Sequence, residues 1–167
     1  MRTNNFLSIL CLTVISLMSN VSCESGDENG DTTRPVINLI EPAQDDVLEI
    51  GESVHFEMEV SDNDQLREYK VEIHSNFDGH QHSALRAGEY EGETVDFFFE
   101  HTWSDISGKK NAMVHHHEIV IPANATPGDY HLEVFCTDAS GNEAFVVRDI
   151  ELSYEGGEHD HDHETGE

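Results

Sequence analysis

The stretch "PGDYHLEVFCTDASGN", residues 127–142, decides the fold class. Tyr130, Leu132, Val134 and Cys136 alternate with His131, Glu133, Phe135 and Thr137, the period of two that marks a half-buried β-strand rather than a helix. Such a strand places its apolar set on one side and its polar set on the other. The pattern recurs along the chain. "SVHFEMEV" (53–60) turns Val54, Phe56, Met58 and Val60 inward and His55, Glu57 and Glu59 outward, and "REYKVEIH" (67–74) buries Tyr69, Val71 and Ile73. "VDFFFEHTW" (95–103) sets Val95, Phe97, Phe99 and Trp103 on one face. "PVINLIEP" (35–42), flanked by prolines, reads as an edge strand, while "VHHHEIVI" (114–121) and "EAFVVRDIEL" (143–152) complete the set. Gly, Asn, Asp and Pro clusters separate most of these runs, and helix signals are nearly absent. The expectation is an all-β fold, an Ig-like antiparallel β-sandwich of about seven strands with disordered acidic termini.

The remaining segments lack the means to join that core. Residues 1–22 read as an export signal: Arg2 supplies the positive start, and "FLSILCLTVISLM" (6–18) is apolar but too short to span a bilayer. Cys23 follows in "SNVSC", as in bacterial lipoprotein signals where that cysteine is lipidated, although Asn20 stands where leucine is usual. Residues 23–34 then form an acidic tether rich in glycine, serine and threonine, 35–154 the sandwich, and 155–167 a tail without a hydrophobic side chain. Cys11 leaves with the signal and Cys23 carries lipid, so Cys136 has no partner and reads as a buried structural thiol. The expected location is the outer membrane, on its periplasmic or outer surface, with simple secretion as the other possibility.

Charge narrows the partners. The chain has 35 acidic and 8 basic residues and a formal charge of −27, so nucleic acid and anionic membrane surfaces repel it, and membrane contact is expected through the lipid alone. Histidine is present in 12 copies, more than lysine and arginine together. An acidic, imidazole-rich chain offers cations both long-range attraction and ligands.

The punctuation carries a resemblance. "PANATPGDYHLEVFCTDASGNEA" resembles the end of bacterial Ig-like domains, where Pro-Gly-x-Tyr leads into one strand and D-x-x-G-N closes the hairpin to the next. "SDNDQLREYKVEI" resembles an earlier corner of the same domains. With "IHSNFDGHQH", "HHHEIVIPA" and the "PGDYHLEV" ending, the folded unit is similar to Bacteroidota lipoproteins of domain of unknown function 4625. That resemblance implies fold and location and carries no activity.

Three histidine groups remain. His74, His80 and His82 occupy a strand end and the following connection with Asp78, and His131 starts a later strand. If the strands alternate in direction, His55, His74, His80, His82 and His131 gather at one end, with His74 and His131 as a cross-strand pair about 5 Å apart at Cβ. Three or four such rings can surround one zinc, copper or nickel ion, with Asp78 as oxygen ligand or tautomer-fixing acceptor. "NFDG" alone also makes an ordinary turn. His115 and His117 form an H-x-H unit read as starting the fifth of the seven strands on the face of Ile119 and Ile121, and the long 75–94 connection is expected to carry His80 or His82 toward them. The tail alternates His159, His161 and His163 with acids, a loose metal-binding composition or a solubilising one.

The expected ligand set is therefore His74, Asp78, His80, His82, His115, His117 and His131, with zinc first and copper second. Calcium is the alternative, because Asp62, Asn63 and Asp64 in one corner and Asp138 and Asn142 in another put oxygen ligands at the opposite end. No nucleophile elbow, phosphate loop or cysteine–histidine signature appears, and the chain reads as a non-enzyme. The expected function is metal capture or buffering, with an outer-membrane receptor as onward partner. The competing reading is a surface adhesion module, calcium-stabilised, that uses outward Phe98 and Phe135.

Overall fold

Strand periodicity becomes eight strands in the computed structural model, which describes residues 30–76 and 92–156. In chain order they are β1 (Val36–Glu41), β2 (Asp46–Glu49), β3 (Phe56–Ser61), β4 (Leu66–Ser75), β5 (Phe99–Trp103), β6 (Asn111–His116), β7 (Gly128–Asp138) and β8 (Glu143–Ser153). One sheet has the order β1-β3-β6 and the other β2-β8-β7-β4-β5. The expected sandwich is present, with one strand more than expected. β2 was hidden because its four residues bury only Leu48, and it pairs in parallel with β8, so the larger sheet is mixed. All other pairings are antiparallel.

The inward sets are those the alternation predicts. Phe56 and Met58 of β3 and Val71, Ile73, Leu132 and Val134 of β4 and β7 are all 0 % exposed, and the two sheets close on them. Each such side chain contributes roughly 1.5–3 kcal/mol through burial. Phe56 stacks on Tyr69 across the sandwich at 6.2 Å between ring centroids, and Tyr69 on Trp103 at 5.0 Å. Cys136 is buried without a disulfide.

Tyr130 links the β4–β5 and β6–β7 connections. Its hydroxyl donates to the Thr126 carbonyl at 2.8 Å and accepts from the Phe97 amide at 3.2 Å. A tyrosine bonded back to a carbonyl four residues upstream is the corner that Ig-type sandwiches use at this strand's entry.

Two expectations fail. Val95 is 57 % exposed, because residues before Phe99 leave the sheet and Val95 makes only a single parallel bridge to Ala125. The sixth strand runs Asn111–His116 instead of 114–121, so the histidine run lies at its end. The inward phase also slips there: Val114 is buried, His116 half-buried, His115 and His117 exposed, and Ile119 buried again. His115 and His117 therefore do not share the face of Ile119 and Ile121. Two residues instead of one separate His116 from Ile119, because the ladder breaks after Phe56–His116 and resumes at Ser53–Val120 with one extra residue on the histidine side.

Candidate metal centre

The β3–β6 ladder builds the site. Glu57 faces His115 and Phe56 faces His116 in register, and one further step in each direction brings His55 beside His117. Alternation turns His116 in and its two neighbours out. Three imidazoles, from His55, His115 and His117, meet on the outer face of the three-stranded sheet. Ring centroids are 4.9 Å apart for His55–His115, 5.0 Å for His55–His117 and 5.5 Å for His115–His117. One nitrogen from each lies within 4.8 Å of the other two. Tetrahedral zinc needs nitrogens about 3.3 Å apart, from a bond length of about 2.0–2.1 Å. His115 and His117 are exposed and free of core packing, which leaves their rings room to adjust to that spacing.

The surroundings favour the ligand form. Burial, then the neighbouring rings of His115 and His117, hold the His55 pKa below its ordinary value of 6.5, while Glu41 and Glu57 oppose the shift. Neutral imidazole is the state that binds metal. The Glu57 carboxylate stands 3.8 Å from His55 Nε2, placed to orient that ring or to complete the coordination. Glu41 pairs with Glu57 across β1–β3, so two carboxylates border the trio.

His116 is the anchor behind them. Its ring lies 4.9 Å from Phe56 and 4.8 Å from Trp103, and its Nδ1 accepts the Glu118 amide at 3.4 Å. Trp103 Nε1 in turn donates to the Glu118 carboxylate at 2.8 Å. Burial lowers the His116 pKa. A neutral ring wedged among aromatics fixes the outward direction of its two neighbours.

His74 and His131 do form the expected cross-strand pair: they are register partners, with rings edge-to-face at 5.4 Å. His131 Nε2 is 3.1 Å from Asp149 and His74 Nδ1 is 3.6 Å from Glu72. This pair lies on the outer face of the five-stranded sheet and is not joined to His115 and His117. No third ligand gathers with it among the described residues. Asp78, His80 and His82 lie outside the described residues, as do Cys23 and the tail histidines. His55 belongs with the sixth-strand histidines, not with His74. The signal available for it was the outward phase of "SVHFEMEV"; the missing information was which strand lies alongside.

An Ig-like sandwich bearing an outward histidine trio on its smaller sheet is the class defined by these observations. The chain belongs to the family described as domain of unknown function (DUF4625), whose sequence model matches residues 21–153. No curated protein matches the chain.

Proposed function

We propose that the protein is an extracytoplasmic lipoprotein, anchored through Cys23, that captures or buffers transition-metal ions without catalysis, with zinc first and copper second. The observation that carries the reading is the convergence of His55, His115 and His117, whose ligand nitrogens lie within 4.8 Å of one another. Two of the three rings are open to solvent, so an ion arrives and leaves without unfolding the sheet. The charge of −27 raises the local concentration of dications. Zinc is preferred because imidazole is its usual ligand, whereas copper(I) seeks sulfur. Cys136 and Met58 are both 0 % exposed, leaving Met113, 64 % exposed and two residues from His115 on the same outward phase, as the accessible sulfur in the neighbourhood. An outer-membrane receptor is the proposed recipient.

The test is a zinc titration of the chain with His159, His161 and His163 replaced by alanine. One tight equivalent is expected to remain; weak, substoichiometric uptake refutes the folded site. The adhesion reading draws on Phe98 and Phe145, 62 % and 63 % exposed, and on Phe135, half-buried beside Phe145 and capped by Lys70 Nζ at 4.3 Å. It predicts that Phe98→Ala and Phe145→Ala abolish attachment to a partner while zinc uptake is unchanged.

A further inference from the structure

At the far end of β3 from the histidines, three aspartates from distant parts of the chain meet. Asp62 follows β3, Asp138 closes β7, and Asp31 precedes β1; one carboxylate oxygen of each lies within 4.8 Å of the others. Asp138 is 1 % exposed. Four of the six oxygens are held by local donors. Asp31 Oδ1 accepts the Thr33 amide at 2.9 Å and Asp62 Oδ2 the Asp64 amide at 2.8 Å. Asp138 takes the Asn142 amide on Oδ1 and the Asn142 side chain on Oδ2, both at 2.7 Å. Asn142 Nδ2 also donates to the Asp31 carbonyl at 2.9 Å.

The other two oxygens, Asp31 Oδ2 and Asp62 Oδ1, are sealed from solvent and receive no hydrogen bond. A carboxylate oxygen removed from water without a donor is unfavourable, and three ionised carboxylates this close repel one another unless a positive charge joins them. Among the described residues no ion pair involves any of the three. Lys110, beside this corner, directs its Nζ to the Asn63 carbonyl at 2.7 Å. Among the described residues no side chain supplies the counter-charge.

We infer that Asp31, Asp62 and Asp138 form a binding site for a hard divalent cation, calcium. All the converging ligands are oxygens, which select calcium or magnesium over zinc and copper. Calcium bonds oxygen at about 2.3–2.6 Å, so opposed ligands stand about 4.6–5.2 Å apart, whereas magnesium at about 2.0–2.1 Å demands a tighter octahedron. The three carboxylates come from three separate segments, an irregular arrangement that the flexible coordination of calcium accepts more readily than the strict octahedron of magnesium. Bound calcium ties the segment before β1 to the β7–β8 hairpin and to the β3–β4 corner. It reinforces the tie that the Asn142 side chain already makes to the Asp31 carbonyl.

The experiment is calorimetric calcium titration of the full chain, with amide hydrogen exchange at Thr33 and Asn142. One equivalent is expected, with slower exchange at both amides and a weaker response to magnesium. Asp31→Asn and Asp62→Asn, which keep side-chain shape, each lower calcium affinity by roughly 10–100-fold, and thermal unfolding in chelator confirms that both variants fold. His55→Ala retains full calcium binding. An acidic chain also gathers calcium without a site, and that response would persist in both aspartate variants; such persistence, or no uptake at millimolar calcium, overturns the inference.

Discussion

His55→Ala is the perturbation that separates a shared metal site from three surface rings. Structural zinc sites contribute about 10–16 kcal/mol, so one ligand in four is worth about 2.5–4 kcal/mol, a loss of roughly 70- to 1,000-fold in affinity. What remains is His115 and His117 on one segment, with Glu57 or water as the other ligand. The fold itself loses little, because the His55 side chain is 35 % exposed and its removal relieves crowding with His115 and His117. Surface substitutions of this kind stay within about 0.5 kcal/mol of the parent. The control is built into the molecule: the His74 side chain is also 35 % exposed and also stands beside a second imidazole and a carboxylate. Competition of zinc against a chromogenic chelator, in a background lacking the tail histidines, should show the full loss for His55→Ala and less than threefold change for His74→Ala. Equal effects of the two substitutions, or none, would refute the argument that geometry on the β3–β6 ladder creates the site.

Three further outcomes follow from the same arrangement of side chains. Zinc affinity should fall as pH drops below about 6.5, by up to tenfold per pH unit for each protonating ligand; the His55 pKa is depressed, so that ring stays neutral to lower pH than an ordinary histidine, and a pH-resolved titration of the parent against His55→Ala should show its contribution persisting below that pH. Burial, then the charges of Asp62 and Asp138, push the Cys136 thiol up to about 12, so at pH 8 a thiol reagent should label the native protein negligibly and the denatured protein at once. Tyr130→Phe removes both the donor to Thr126 and the acceptor for the buried Phe97 amide, and should cost about 1–3 kcal/mol in urea unfolding without altering zinc uptake.

The strands were legible wherever one face is buried and the other wet. β3, β4 and β7 each alternate over six or more residues, and their inward sets came out as read. β2 escaped because four residues with one buried leucine carry no period. The histidine run shows the limit of alternation more sharply. Phasing it on Ile119 and Ile121 assumed one continuous strand, but β6 ends at His116 and pairing resumes at Val120 opposite Ser53 with the register shifted by one residue. Which strands are neighbours is a tertiary fact with no local signature, so the partnership of His55 with His117 could not be seen. Asp31 was hidden for a different reason: it sits among glycine, asparagine and threonine, a composition that reads as tether, and only its bonds to Thr33 and Asn142 place it against the hairpin.

The two clusters divide ligand chemistry along a single strand. His55 precedes β3 and Asp62 follows it, a separation of seven residues and therefore about 23 Å of extended chain. That distance is well over the Debye length of about 8 Å at physiological ionic strength, so a dication at one end exerts little force on a dication at the other. The overall charge of −27 attracts zinc and calcium alike and cannot tell them apart. Discrimination has to reside in the donor atoms: nitrogen at the His55 end, oxygen at the Asp62 end. A change in response to one metal that leaves the other untouched can then be assigned to one end of β3. General loss of charge or of folding would move both together.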